Sequence, residues 1–75
     1  MRYYFDIRNG VPVRDKKGMD FDLVSGAIIH AKRLAAELRA KQAVIKPDMR
    51  VCVISEQGAI VHEEGVSDQA NRNAN

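Results

Sequence analysis

Two short turn sequences on either side of a long amphipathic segment constrain this chain more than any other feature. The turns are residues 8–10 (Arg-Asn-Gly) and 55–58 (Ser-Glu-Gln-Gly), and apolar and polar residues alternate around each of them. Alternation with a period of two around a glycine-containing turn is typical of a β-hairpin. The sequence therefore predicts an α+β domain with the element order β-β-α-β-β.

The first hairpin is predicted to begin with a strand over residues 2–8, where apolar residues occupy every second position. A two-residue loop would scatter apolar residues over both faces of the hairpin. A three-residue loop instead pairs Ile7 with Val11. The same register places Phe5 opposite Val13, so that all four side chains share one face.

Two residues refine the prediction for this hairpin. Gly10 is expected at the positive-φ position of a β-bulge, where the absence of a Cβ atom avoids strain. Pro12 is expected to face outward on the second strand. Because proline cannot donate a hydrogen bond to a neighbouring strand, the second strand is predicted to lie at a sheet edge. Residues 15–18 (Asp-Lys-Lys-Gly) then predict a turn.

The central segment predicts one helix of about twenty residues. Asp20 and Asp22 are both candidate N-caps, and Asp22 is preferred. The apolar stripe of this helix has helical spacing and consists of Val24, Ala27, Ile28, Ala31, Leu34, Ala35 and Leu38. Its alanines would let the helix approach the sheet closely. The side chains expected among the most buried are Phe5, Ala31, Leu34 and Leu38.

The second hairpin is predicted to pair residues 50–54 with residues 59–63. The side chains expected on its core face are Val51, Val53 and Val61, and those on the opposite face are Cys52, Ile54 and Ile60. A right-handed crossover through the helix, with the first strand placed centrally, gives a four-stranded antiparallel sheet in the order 2-1-3-4. The helix packs on one face. Residues 1–66 are expected to form this single domain and residues 67–75 a disordered tail.

Length and composition exclude several classes of protein. A chain of 75 residues buries a small core, so its expected stability is marginal. The single cysteine excludes an internal disulfide, and the two histidines lack metal-ligand spacing, so we predict no metal and no cofactor. The chain has no bilayer-length apolar run and no signal peptide, which with the free thiol predicts a cytoplasmic protein without membrane contact. The net charge of +2 neither requires nor excludes a nucleic-acid partner.

One pair of side chains raises the question of catalysis. Cys52 and His62 lie opposite each other in the predicted register, and a thiol beside an imidazole is how a cysteine nucleophile is activated. No orienting third group or oxyanion-hole segment accompanies them, so we predict that the protein is not an enzyme. Asp15, Asp20 and Asp22 are interpreted as turn and capping residues, because their spacing does not match an EF-hand loop.

Three short elements occur in a fixed order along the chain. They are residues 2–8 (Arg-Tyr-Tyr-Phe-Asp-Ile-Arg), Asp15-x-x-Gly18 followed by the alanine-rich helix, and residues 53–58 (Val-Ile-Ser-Glu-Gln-Gly). Together they resemble a family of small uncharacterised bacterial proteins, common in rhizobium-like soil bacteria, with the pattern R-Y/F-Y/F-F-D/N, D-x-x-G and V-x-D-E-x-G. Ser55 replaces the Asp of the last element. The resemblance covers about residues 2–64 and implies no activity.

Apolar residues that lie outside the predicted core indicate contact surfaces. The possible interface residues are Tyr4, Ile29, Cys52, Ile54 and Ile60. We therefore expect a small binding or accessory domain that acts through contact with another protein or through self-association as a homodimer. The alternative is a weak nucleic-acid-binding domain that stacks a base on Tyr4. Its possible basic contacts are Arg2, Arg8, Lys32, Arg33, Arg39 and Lys41.

Overall fold

A computed structural model of the protein describes residues 1–9, 12–41 and 44–66. The elements in these ranges are β1 (Arg2–Arg8), β2 (Met19–Asp20), α1 (Val24–Lys41), β3 (Arg50–Ser55) and β4 (Ile60–Gly65). The strands form one antiparallel sheet in the order β2-β1-β3-β4, with α1 packed on one face. The predicted fold class and strand order are confirmed. The predicted tail, residues 67–75, lies outside the described residues.

The core lies between α1 and the face of the sheet that α1 covers. Tyr3 and Phe5 of β1 are buried, and Phe5 is paired with Val53 of β3. The helix contributes three fully or almost fully buried residues, all of them small: Ala27, Ala31 and Ala35. Since a stripe of alanines lets backbones approach closely, the larger side chains flank the contact. Leu34 and Leu38 are accordingly half-buried at the margin of the core, and the prediction that they are among the most buried residues is wrong.

The helix begins later than predicted. Its first residue is Val24, which is exposed, and the carbonyl of Leu23 accepts a 3.1 Å hydrogen bond from the N–H of Gly26. Within the described part of the chain, no hydrogen bond joins the Asp22 carboxylate to the first turn. The preferred N-cap is therefore wrong. Phe21 explains the shift, because its ring packs against other aromatic rings of the core and fixes the path of the chain into α1.

The second strand also differs from the prediction. Ile7 exchanges two backbone hydrogen bonds with Val13, of 2.9 and 2.8 Å, so the predicted pairing of Val13 with Phe5 is wrong. The chain then leaves the sheet and returns as β2, where Met19 is paired with Tyr3. Gly10 and Val11, on which the predicted bulge depended, lie outside the described residues. The edge of the sheet beside β1 is thus an interrupted strand: it pairs at Val13 and again at β2, and the residues between them are not in a strand.

The second hairpin closes as predicted but changes register further along. The N–H of Ser55 donates to the carbonyl of Ala59 at 2.8 Å, and Gly58 has a φ of +86°. A bulge beside Val53 then shifts the pairing of the two strands. Because Val61 is the extra residue, its side chain is 42% exposed and does not belong to the core, contrary to the prediction.

The bulge also separates the proposed cysteine–histidine pair. Cys52 is paired with Glu63, whereas His62 is paired with Val53 on the face that α1 covers. The predicted pairing of Cys52 with His62 is therefore wrong, because the one-residue shift moves the two side chains to opposite faces of the sheet.

Candidate functional site

The face of the sheet opposite α1, hereafter the outer face, carries a row of apolar side chains. Tyr4 of β1 lies beside Ile54 of β3, and Ile54 lies beside Ile60 of β4. These three residues, the apolar row, are partly exposed, with Ile60 at 46%. The row crosses three strands, so it is a continuous surface rather than a set of isolated exposed residues.

A groove of about 550 Å³ runs along this face. The apolar row lines it at one end, together with Gly58 of the β3–β4 turn, and Pro12 lines it near the sheet edge. Four charged residues complete the lining: Asp6, Arg8, Arg14 and Asp15. This outer groove therefore combines an apolar strip with two positive and two negative groups.

The two aspartates of the outer groove are held by backbone N–H groups. The Asp15 carboxylate accepts hydrogen bonds from the N–H groups of Phe5 (3.2 Å), Lys17 (3.0 Å) and Gly18 (3.1 Å). Asp6 in turn accepts the N–H of Asp15 at 3.0 Å. The Asp15 side chain thus occupies the place that a neighbouring strand would take beside Phe5.

This geometry determines the charge state of Asp15. Burial acts to raise the pKa of Asp15, but the three N–H donors and the positive charge of Arg2 outweigh it, so the pKa lies below its ordinary value. The carboxylate is therefore ionised at neutral pH, with both of its oxygens directed at the backbone.

The two arginines of the outer groove are in a different situation. Among the described residues, no carboxylate lies within ion-pair distance of Arg8 or Arg14, and the Nε of Arg8 is buried without a hydrogen-bond partner. Arg8 also lies opposite Arg50 on β3. The Nε of Arg50 is 3.0 Å from Oε1 of Glu63, although its N–H does not point at that oxygen. Like charges opposite each other on adjacent strands are unfavourable, so this pairing does not itself stabilise the sheet.

The predicted interface residues divide between three places. Tyr4, Ile54 and Ile60 lie together in the apolar row. Cys52 belongs to the same face but is 0% exposed, so its thiol lies beneath the surface. Ile29 is 57% exposed on α1, on the other side of the sheet.

The predicted basic residues also divide between the two sides of the molecule. Arg2 and Arg8 lie near opposite ends of β1, and Arg2 is engaged with Asp20 at 3.3 Å. The other four are on α1: Lys32, Arg33, Arg39 and Lys41. Lys32 pairs with Glu64 at 3.2 Å. The fold therefore does not bring the six into one patch.

Sequence reasoning missed Arg14 as a groove residue. Its position depends on the Val13–Ile7 bridge, which places the next residue beside the outer face. The neighbouring Asp15-x-x-Gly18 element carried the signal, because an aspartate followed three residues later by glycine is typical of a side chain that caps its own turn. An Asp15-x-x-Gly18 turn capped by its own aspartate indicates that the strand is interrupted at this point.

The described residues form neither a cysteine–histidine pair, nor a cluster of metal ligands, nor a membrane-spanning helix. Cys52 is buried, while the Nε2 of His62 is 2.8 Å from Oε1 of Glu64 on the opposite face. Within residues 1–9, 12–41 and 44–66, no three or more His, Cys, Asp or Glu side chains converge as metal ligands would. In the same ranges, no helix has both the length and the apolar character needed to cross a membrane.

The fold and the outer groove define a small α+β domain in which, among the described residues, one helix covers one face of a four-stranded antiparallel sheet and leaves the other uncovered. The chain belongs to the family described as a domain of unknown function (DUF6894), which matches residues 2–64. This range agrees with the extent of the resemblance inferred from the sequence. No curated protein and no solved structure matches the chain.

Proposed function

We propose that this protein is a small, non-catalytic binding domain that associates through its outer face, and that the first partner of this face is a second copy of the chain. The apolar row carries the proposal. Tyr4, Ile54 and Ile60 form a continuous row on a sheet face that no other described element covers, and burying this row would release free energy. A domain whose core is built largely from alanine and valine benefits most from such additional burial.

The charges of the outer groove favour a second copy of the chain over a partner whose surface is uniformly positive or uniformly negative. In a twofold dimer the same surface faces itself, so each group must meet its complement on an identical surface. The groove carries two arginines and two aspartates, Arg8 and Arg14 against Asp6 and Asp15. The formal charges of the groove therefore cancel, so two copies can meet there without a net repulsion between like charges.

A matched pair of substitutions tests this proposal. Ile60→Ser changes the apolar row, and Ile29→Ser changes an isoleucine of similar exposure on α1. Both side chains are exposed, so both variants should fold, as circular dichroism would verify. Because each substitution occurs twice in a twofold dimer, Ile60→Ser should weaken dimerisation about tenfold or more.

Molar mass measured by light scattering over a concentration series gives the readout. Wild type and Ile29→Ser should show the same concentration-dependent rise, and Ile60→Ser should show it only at higher concentration. A wild-type protein that remains monomeric near millimolar concentration would contradict self-association. If Ile29→Ser caused dissociation and Ile60→Ser did not, the dimer contact would lie on α1 and not on the outer face.

One observation favours a second candidate, binding of single-stranded nucleic acid. Arg8 and Arg14 lack a described carboxylate partner and share the outer groove with Tyr4, whose ring could stack a base. Binding of a single-stranded oligonucleotide should then weaken with salt. Arg8→Gln should reduce that salt dependence, whereas Arg33→Gln on the exposed side of α1 should not. Salt-independent binding, or an equal effect of both variants, would contradict this alternative.

A further inference from the structure

A second groove, of about 410 Å³, lies on the helix side of the sheet, where the edge strand is interrupted. Its walls are mainly apolar and include Phe5, Ile7, Val13, Met19 and Leu34. Val13 and Met19 are 60% and 45% exposed, so apolar surface on both sides of the gap meets solvent. We call this the edge groove, and it is separate from the apolar row on the outer face.

The edge groove follows from the position of the helix. The buried alanines of α1 bring the helix over β3 and β4 rather than over β1. The side of β1 that faces the helix therefore depends on the edge strand for cover, and that strand is absent between Val13 and Met19. His30 covers part of Phe5, with ring centroids 4.8 Å apart, but the groove remains open beside it.

The loop that borders the edge groove presents a positive surface. Arg14, Lys16 and Lys17 are exposed, and Arg14 and Lys17 line the groove. The one acidic residue of the loop, Asp15, has both carboxylate oxygens occupied by backbone N–H groups. Solvent therefore meets three cationic side chains next to an apolar cleft.

We infer that the edge groove binds an acidic peptide segment of a partner protein, with one bulky apolar side chain inserted between Val13 and Met19. The groove lies within the size range of sites that enclose side chains or small ligands. Carboxylates on either side of the apolar anchor would meet the cationic loop. Since Asp15 already accepts the N–H of Phe5, the peptide is held by side chains and does not add a strand to β1. This inference goes beyond the self-association proposed above, because it uses the other face of the sheet.

Selection from a displayed library of random peptides on the purified full chain tests the inference. Enriched peptides should contain a bulky apolar residue with aspartate or glutamate within a few positions of it. The most enriched peptide, synthesised with a fluorescent label, then provides an affinity by anisotropy. Lys17→Glu should lower that affinity at least tenfold, whereas Arg33→Glu, an exposed charge on α1 outside the groove, should change it less than twofold.

A second variant addresses the apolar part of the groove. Val13→Asp places a carboxylate in the wall at an exposed position, and it should also lower the affinity at least tenfold. Ile60→Ser should leave the affinity unchanged, which separates this site from the proposed dimer surface. No enrichment, enrichment of basic peptides, or an affinity that Lys17→Glu and Val13→Asp leave intact would overturn the inference. A fall in molar mass caused by Val13→Asp would show a second copy as the occupant and would overturn it too.

Discussion

Gly18 and Gly58 each end a loop and each have a positive φ, but the two loops are closed by different kinds of hydrogen bond. Gly58 has a φ of +86°, and its turn is closed by the backbone itself, with the N–H of Gly58 donating to the carbonyl of Ser55 at 2.9 Å. Gly18 has a φ of +70°, but its loop is closed by the carboxylate of Asp15. The surroundings also differ. A Cβ on Gly58 would meet no atom within 4 Å, whereas one on Gly18 would meet three atoms at 2.9 Å.

This difference explains where the molecule has grooves. A turn closed by its own backbone continues two strands without a gap, as β3 and β4 do. A loop closed by a side chain replaces a stretch of strand, and the surface around it is left incompletely covered. Arg14 and Asp15 consequently line both the outer groove and the edge groove. The interruption between Val13 and Met19 thus shapes one side of each groove, whereas the apolar row lies on the sheet face opposite α1.

The largest expected effect is at Gly18. Gly18→Ala adds backbone strain at positive φ and places the Cβ 2.9 Å from the backbone carbonyl oxygen of Tyr3, which cannot move without shifting β1. We expect a loss of about 3 kcal/mol in the free energy of unfolding, measured by urea denaturation. Gly18→Asn should be no better, because asparagine tolerates positive φ but still carries a Cβ. Recovery of stability by asparagine would show that only φ matters there.

The next effect concerns Asp15. Asp15→Asn keeps one acceptor oxygen and loses the other, so the N–H of Phe5 or those of Lys17 and Gly18 lose their partner. We expect a loss of about 2 kcal/mol at neutral pH. Because the folded-state pKa of Asp15 is lowered, its contribution is present above the unfolded pKa and disappears as the pH falls through the folded pKa. The difference between wild type and variant should therefore shrink in acid, and a constant difference would contradict this role.

The sequence predicted the parts of the fold that depend on periodicity. The bounds of β1, the buried alanines of α1 and the strand order follow from apolar spacing and connection rules. The location of β2 could not be predicted in this way. The sequence of residues 11–13 alternates like that of a strand, whereas the Asp15 side chain replaces the strand that should follow. Periodicity predicts which face of a strand a side chain occupies. It does not predict that a side chain will accept backbone hydrogen bonds in place of a neighbouring strand.

The candidate surfaces were predictable to the same limited extent. Tyr4, Ile54 and Ile60 share a face in the register predicted from the sequence, which holds next to the β3–β4 turn, so the apolar row could be anticipated. The edge groove could not, because it requires the distance of α1 from β1 and the gap in the edge strand together. The burial of Cys52 also depends on neighbouring side chains rather than on strand alternation.

Gly58 provides the smaller counterpart of the effect at Gly18. Gly58→Ala adds a Cβ in open space, so only the positive φ is unfavourable, and we expect a loss of about 1 kcal/mol. Gly58→Asn should recover most of it, in contrast to Gly18→Asn. Equal losses for the two alanine variants in urea denaturation would contradict the comparison between the two loops.

The smallest expected effect is at Glu64, the carboxylate that links the second hairpin to α1. Its Oε1 lies 2.8 Å from Nε2 of His62 and 3.2 Å from Nζ of Lys32. Burial acts to raise the pKa of Glu64, but these two partners outweigh it and hold the pKa below its ordinary value. Since Lys32 is mostly exposed, solvent screens the pair, and Glu64→Gln should cost at most about 1 kcal/mol at neutral pH.

The salt dependence of this effect distinguishes Glu64 from Asp15, although both contributions are lost in acid. The lowered pKa means that the contribution of Glu64 is present above its unfolded pKa and is lost as the pH falls through the folded value. A double-mutant cycle of Glu64→Gln with Lys32→Gln should give a coupling free energy that disappears in acid and also falls at about 1 M salt, where the Debye length is only about 3 Å. The Asp15→Asn difference should persist at the same salt concentration, because its partners are neutral N–H groups in contact with the carboxylate. Equal salt sensitivity at the two sites would mean that Asp15 acts through the charge of Arg2 rather than through the backbone.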